Sequence, residues 1–268
     1  MPHLEVFYTS PDQIDTNTGV LKISDQEAHH IINVLRHKPG DKIVVVNGCG
    51  QAYWVTLTVL SKGIVTGTIE KEEQSWGESS VPIGVIIPPL KGQRMDTVIE
   101  KGTELGATWF MIPHTHNTVA TATPNKLDRW KRIALAAMKQ CGRSVWPAIR
   151  IFPNFNSALI ACLELDVFEF KDTVAQHSTD TRSRADVFYA DMDSTNSFRN
   201  WFTDSDNHRD SGRTFCIAVG PEGGFSEEEV QEFARVGAKA FTLGPRRLRS
   251  DTAIITVLAL IAFMRKQL

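Results

Sequence analysis

The sequence predicts an α/β protein in two parts, a small N-terminal β-barrel followed by a larger domain built on a parallel sheet. Three observations point there. Residues 1–70 carry β-branched runs bounded by Gly and Asn-Gly, among them "KIVVVNG" and "YWVTLTVL". From Val81 onward, short apolar runs alternate with amphipathic segments, the pattern of strand–helix–strand units. Between the two lies "KEEQSWGESSVP", polar and with little to pack, which reads as a linker. The expected domains are 1–73 and 81–268.

In the first part, "SDQEAHHIINVLRHKPGD" predicts a short helix that Ser24 or Asp25 can cap and that Pro39-Gly40 follows. In the second, "PIGVIIPP" is a short buried strand. "RMDTVIEKGTELG" then places Met95, Val98, Ile99 and Leu105 on one helical face, with Gly106 as the stop. "ATWFMIPH" is the next strand. "KLDRWKRIALAAMKQCGR" is an amphipathic helix with Trp130, Ala134, Ala137 and Met138 on its apolar side. "PAIRIF", "ADVFYAD", "FCIAVG" and "AKAFTLG" read as further strands and "SALIACLEL" as a helix. "SDTAIITVLALIAFM" is a closing helix, apolar almost all round and therefore expected to be buried. Residues 165–210 are acidic and least legible.

Composition narrows the function. The 268 residues carry a net charge of -2, which gives no sign of a nucleic-acid partner. The regional balance differs: residues 81–150 hold ten basic and four acidic side chains, and Arg246, Arg247 and Arg249 follow in one short run. Such a patch can meet phosphates, or it can be a solvated basic face. Four scattered cysteines with no CxxC pair argue against a metal or disulfide framework and for a reducing, cytoplasmic setting. The N-terminal residues lack the pattern of a signal peptide, and Ala253–Met264 is too short to span a bilayer, so no membrane is expected.

Two loops carry the chemistry. "AVGPEGGFSEEE" is a strand, a Gly-rich turn holding Glu222, and a helix capped by Ser226 with three glutamates in its first turn. Those carboxylates make phosphate a poor guest there, and neither GxGxxG nor GxxxxGK[ST] occurs. Such glycines allow backbone groups to approach a flat, neutral or cationic ligand such as an adenosyl sulfonium. They also suit a tight turn that needs positive φ. "FTLGPRRLRSDTAI" repeats the layout with a basic loop, and Ser250 and Asp251 are its cap candidates. Two Gly-Pro loops at the C-terminal ends of two strands can face each other across a cleft.

Taken in order, "IEKGTELGA", "AAMKQCGR", "GPEGGFSEEE" and "LGPRRLRSDTA" resemble the motifs of SPOUT-superfamily RNA methyltransferases. The match is to the RsmE-type family, which methylates N3 of a uridine in 16S ribosomal RNA of the small subunit. "HHIINVLRHKPGD" is similar to that family's PUA-like, RNA-binding N-terminal domain. The resemblance implies a C-terminal trefoil knot, an exception to unknotted connectivity. It also implies a homodimer, a cytoplasmic role in ribosome biogenesis, and S-adenosylmethionine as methyl donor. Carried over by position, Val219, Gly220, Pro221, Gly223 and Gly224 of the first loop and Leu243, Gly244, Arg247 and Leu248 of the second would hold the donor. Asp191 would stand for the third knot loop, with "VFEFKD" near Lys171 as the competing position. A SPOUT enzyme for another RNA site and a non-catalytic RNA-binding protein are the alternatives. Arg247 and Asp251 differ from the family's usual residues. Glu5 stands near the place of a basic residue, and "HTHNTVA" after Ile112 lacks the usual arginine.

Methyl transfer from a sulfonium needs no metal. The N3 proton of uridine must leave, and a guanidinium near O2 or O4 would stabilise the anion. Arg249 is expected in that role. Glu222 is expected to act as a base or, more in keeping with a loop residue, to order the loop. Arg36, Lys91, Arg94, Arg143 and Arg246 are expected phosphate contacts, which set register on RNA.

Overall fold

A computed structural model describes residues 5–61, 63–164, 185–203 and 214–265. It divides into two compact units, the first holding residues 1–78 and 138–146, the second most of the remainder.

The first unit has a six-stranded sheet. Its strands are β1 (Val6–Tyr8), β2 (Ile14–Asp15), β3 (Val20–Ser24), β4 (Lys42–Val46), β5 (Gln51–Ser61) and β6 (Ile64–Gln74), in the order β1-β4-β5-β6-β3-β2. All pairs are antiparallel except β1 with β4. Phe7 from one side of the sheet and Leu21 and Ile23 from the other share one core with Ile43, Tyr53 and Val65. Just past β1, the Thr9 hydroxyl donates to Lys22 O at 2.6 Å, so the sheet curls back towards β3 in the manner of a barrel. The predicted helix is short: α1 (Asp25–His29) passes into a wider turn over His30–Val34 and stops at Arg36, whose φ is +59°. Ser24 is its N-cap residue, without a side-chain capping bond.

The segment read as a linker holds the division between the two units, after Glu78, but most of it is structured. "KEEQ" completes β6, paired with β5 as far as Gln74. Glu78 accepts from Arg143 Nη2 at 2.6 Å and from the backbone N–H groups of Ser144 and Val145 at 2.9 and 2.8 Å. Glu78 looked unpackable because its partners lie 65 to 67 residues away in sequence.

The second unit is a parallel six-stranded sheet. It comprises β7 (Ile83–Ile86), β8 (Ala107–Pro113), β9 (Ala148–Phe152), β10 (Asp186–Ala190), β11 (Phe215–Ala218) and β12 (Lys239–Phe241), ordered β12-β10-β11-β7-β8-β9. Its helices include α2 (Arg94–Glu104), α3 (Pro124–Cys141), α4 (Phe155–Leu163), α5 (Phe198–Thr203), α6 (Glu227–Arg235) and α7 (Ser250–Met264). Strands β7, β8 and β11 are buried along their whole length, as continuous apolar runs in a parallel sheet must be. Gly106 ends α2 with φ +92°. The short α5 had no signal in the reading of the sequence.

Helix α7 corrects one expectation. Ile254, Val257, Leu258 and Ile261 are buried, but Leu260 is 37% and Phe263 67% exposed, so one apolar stripe faces outward. The helix follows β12, at the edge of the sheet, yet packs against α2, which joins β7 to β8. The chain therefore crosses the carboxyl ends of β10 and β11 between β12 and α7.

Candidate functional site

That crossing builds a cavity of about 430 Å³ at the carboxyl ends of β10, β11 and β12. Three loops line it: Ala190–Met192, Val219–Phe225 and Thr242–Arg249. The first loop is held by Asp191 N donating to Phe241 O at 2.9 Å, and the Asp191 carboxylate turns back to accept from Asp193 N at 3.0 Å.

The glycine loop owes its shape to three positions. Val219 N donates to Ile86 O at 3.0 Å, continuing the β11–β7 ladder to the rim. A Cβ on Gly220 would stand 3.1–3.3 Å from backbone atoms of Gly224 and Phe225, so any side chain there would push the folded-over loop outward by a few tenths of an ångström. Gly224, at φ +74°, donates its N–H to Pro221 O at 2.9 Å and closes the turn. The helix beyond starts as the sequence predicts. Ser226 and Glu229 form a reciprocal capping box in which Glu229 Oε2 accepts from Ser226 N at 2.9 Å.

The two Gly-Pro loops do face each other. Arg247 Nη2 donates to Glu222 O at 2.9 Å, and Ser250 Oγ donates to the buried Gly220 O at 2.7 Å. Ser250 is thus not the cap of α7. Arg249 occupies the N-cap position with extended backbone and makes no side-chain capping bond, while the serine hydroxyl crosses to the other loop. Gly244, at φ +107°, turns the second loop.

The expected donor residues Val219, Gly220, Pro221, Gly224, Leu243, Gly244, Arg247, Leu248 and Asp191 all border the cavity. Gly223 lines the adjoining pocket with Asp191, Met192 and Arg247, and its carbonyl accepts from Asn117 Nδ2 at 3.1 Å. Lys171 falls outside the described residues. Arg249 and Glu222 both border the cavity, and Glu222 accepts from Arg94 Nη1 at 2.7 Å. This gives Arg94, expected on phosphate, a carboxylate partner within the loop. Arg36 and Lys91 are exposed and distant in sequence from these loops, whereas Arg246 is exposed on the cavity rim.

Arg143, expected on phosphate, is turned inward. Its side chain is 4% exposed and bonds Glu78 through Nε and Nη2, so the guanidinium is spent inside the first unit. The motif "QCGR" places it just after α3, where sequence reveals a cation but not which way it faces. Residues the sequence reading missed are Met192, Phe225 and Thr242 on the cavity wall and Asn117 behind it. None stands out by type, and only the folded loops bring them to the site.

Residues 77–262 match a model described as the RNA methyltransferase domain, and residues 23–70 match the RNA methyltransferase PUA domain. The chain belongs to the RNA methyltransferase family. The crossing of α7 beneath the glycine loop is accordingly the trefoil knot of the SPOUT fold, and the N-terminal sheet is the PUA-like domain. Among curated relatives, ribosomal RNA small subunit methyltransferase E of Bacillus subtilis is 27% identical over 92% of this chain and 91% of its own length. Its namesake from Synechocystis is 28% identical over 94% and 75%. A crystal structure of ribosomal RNA small subunit methyltransferase E from Neisseria gonorrhoeae, bound to S-adenosyl methionine, superposes with a TM-score of 0.76 at 27% identity, covering 98% of each chain. Among the described residues no helix is long and apolar enough to cross a membrane.

Proposed function

We propose that the chain is an S-adenosylmethionine-dependent methyltransferase acting on N3 of a uridine in 16S ribosomal RNA of the small subunit. The observation that carries this reading is the cavity on which the glycine loop and the basic loop converge. Its volume lies within the ~300–1,000 Å³ of small-molecule sites.

The residues present suit the donor. Gly220 has little room for a side chain, and its backbone forms that wall. Val219, Leu243 and Leu248 supply apolar surface for an adenine, and Asp191 offers a carboxylate to the cationic part of the molecule. Arg247 can meet its carboxylate. When bound, the donor supplies an electrophilic methyl group on a sulfonium. The protein's task is to orient the base, exclude water and hold the charge left when the N3 proton departs. Arg249, exposed on the rim and free of capping duty, is suited to hold O2 or O4 of that anion. Glu222 is suited to ordering, since its carboxylate is engaged by Arg94. With side chains 40% and 34% exposed, that pair contributes little energy, roughly 0–1 kcal/mol, but it fixes a direction.

The reading extends to the rest of the molecule. Residues 1–73 would help hold RNA and 81–268 would bind the donor and react. Arg36, Lys91 and Arg246 would contact phosphates. The outward Leu260 and Phe263 of α7 suit burial against a second copy, in keeping with a homodimer. The enzyme would work in the cytoplasm during ribosome biogenesis.

Titration with S-adenosylmethionine, beside ATP and NAD, tests the donor site. Mass spectrometry of nucleosides from small subunits incubated with enzyme and donor tests the product. Saturable donor binding and 3-methyluridine are expected. Donor binding without a methylated nucleoside would favour another RNA target, and absence of donor binding would favour an RNA-binding protein without catalysis.

A further inference from the structure

Asn117 lies between β8 and α3, outside the cavity, and touches the glycine loop from behind. Its amide nitrogen donates to two successive carbonyls, Gly223 O and Gly224 O, each at 3.1 Å. A primary amide has two N–H donors, so one side chain satisfies both oxygens. The reversed amide would set its own oxygen against both carbonyls, so the network decides the orientation.

Position 117 is itself anchored. Thr115 N donates to Thr118 Oγ1 at 3.0 Å and Thr118 N to Thr115 O at 3.1 Å, which closes a turn around residues 116 and 117. His116 N donates to Glu229 Oε1 at 2.9 Å. Glu229, 8% exposed, uses its other oxygen in the capping box, so one carboxylate ties this turn to the start of α6.

The consequence falls on the peptide between Gly223 and Gly224. In a trans peptide the carbonyl and the following N–H point in opposite directions. Here Asn117 holds the oxygen and Pro221 O holds the N–H, so the plane is fixed at both ends. A Cβ on Gly223 would approach the Asn117 Cβ to 3.0 Å, so the two positions are already in close contact. Freed from this contact, two adjacent glycines would sample many orientations, and a ligand would have to select one of them.

We infer that Asn117 is a positioning residue for donor binding, holding the Gly223–Gly224 peptides in the orientation that shapes the cavity wall. The inference rests on the reading of Val219–Gly224 as the donor loop. It acts through the loop and makes no contact with the reacting atoms.

The test compares the full-length chain with Asn117→Ala and the isosteric Asn117→Asp. Three quantities are measured: the Kd for S-adenosylmethionine by calorimetry, the Kd for an unmodified 16S ribosomal RNA transcript, and Tm. Loss of two neutral hydrogen bonds predicts a rise in donor Kd of about tenfold in Asn117→Ala. Asn117→Asp, which sets a carboxylate against two carbonyls, is expected to lose at least as much. RNA Kd is expected to stay within about twofold of the parent. Donor Kd unchanged in both variants overturns the inference while leaving the donor site standing. So does a parallel loss of donor affinity, RNA affinity and Tm, which marks a general structural role. If one variant does not fold, the other carries the same comparison, and if neither folds, the separate positioning role is refuted. A parent chain that binds no donor overturns the donor-loop reading and the inference with it.

Discussion

Ser250 Oγ donates a 2.7 Å hydrogen bond to Gly220 O, joining the first residue of α7 to the glycine loop thirty residues earlier. The carbonyl is buried, and the chain between the two residues passes through α6 and β12 before it returns. This bond pins the crossing of the knot at the floor of the cavity.

Ser250→Ala is therefore expected to leave a buried acceptor unpaired. The cost is about 1–3 kcal/mol of stability. Urea denaturation at neutral pH measures it. Donor affinity is expected to fall as well, because Gly220 forms the wall.

Arg249→Ala and Glu222→Gln separate charge stabilisation from loop order. Removing a donor to a developing anion costs about 100-fold or more in kcat. Arg249→Ala is expected to show that loss with donor Kd nearly unchanged. Glu222→Gln keeps an acceptor for Arg94 and is expected to retain kcat within a few-fold. Full turnover by Arg249→Ala would remove that residue from the mechanism.

The Glu78–Arg143 pair has its own test in urea. Arg143→Ala leaves Glu78 buried, still bonded to the Ser144 and Val145 N–H groups but short of its cation. Breaking one side of a buried pair costs about 3–5 kcal/mol. A loss of stability on that scale, with no change in the salt dependence of RNA affinity, is expected.

Lys91→Ala and Arg246→Ala change the other quantity. Each phosphate contact removed is expected to lower the slope of log K against log salt by about 0.7–0.9. Binding that stays flat from low to moderate salt would remove the electrostatic footprint altogether.

Thiol labelling reports on the core of the knotted unit. Burial, with Cys162 beside it, pushes the Cys216 thiol well above its ordinary range, so at any given pH less of it is thiolate than in an exposed thiol. Near pH 8 a maleimide is expected to label the exposed Cys141 promptly and to leave Cys216 unlabelled until the protein unfolds. Labelling of Cys216 at the rate of Cys141 in the native state would contradict this burial.

Much of the fold was legible because its signals are local. The strands β7, β8 and β11 are short apolar runs, Gly106 and Ser226 mark a helix end and a helix start, and each is settled by residues close in sequence. The same holds for the strand, Gly-Pro and helix layout of the two loops, whose place at strand ends allowed them to face one another. Where the sequence reading failed, the deciding partner was remote. Glu78 looked like part of a linker until Arg143 met it, and Arg143 looked like a phosphate ligand for the same reason.

The sequence by itself determined the α/β class, the order of most elements outside 165–210, and the residue types gathered at the cavity, through periodicity, capping and glycine chemistry. The tertiary structure alone decided which loops share that cavity, that Ser250 bonds Gly220 instead of capping α7, and that Asn117 braces the loop from outside. Hydrogen bonds between residues 30 to 107 positions apart depend on the path of the whole chain, and neither periodicity nor spacing within one segment records that path.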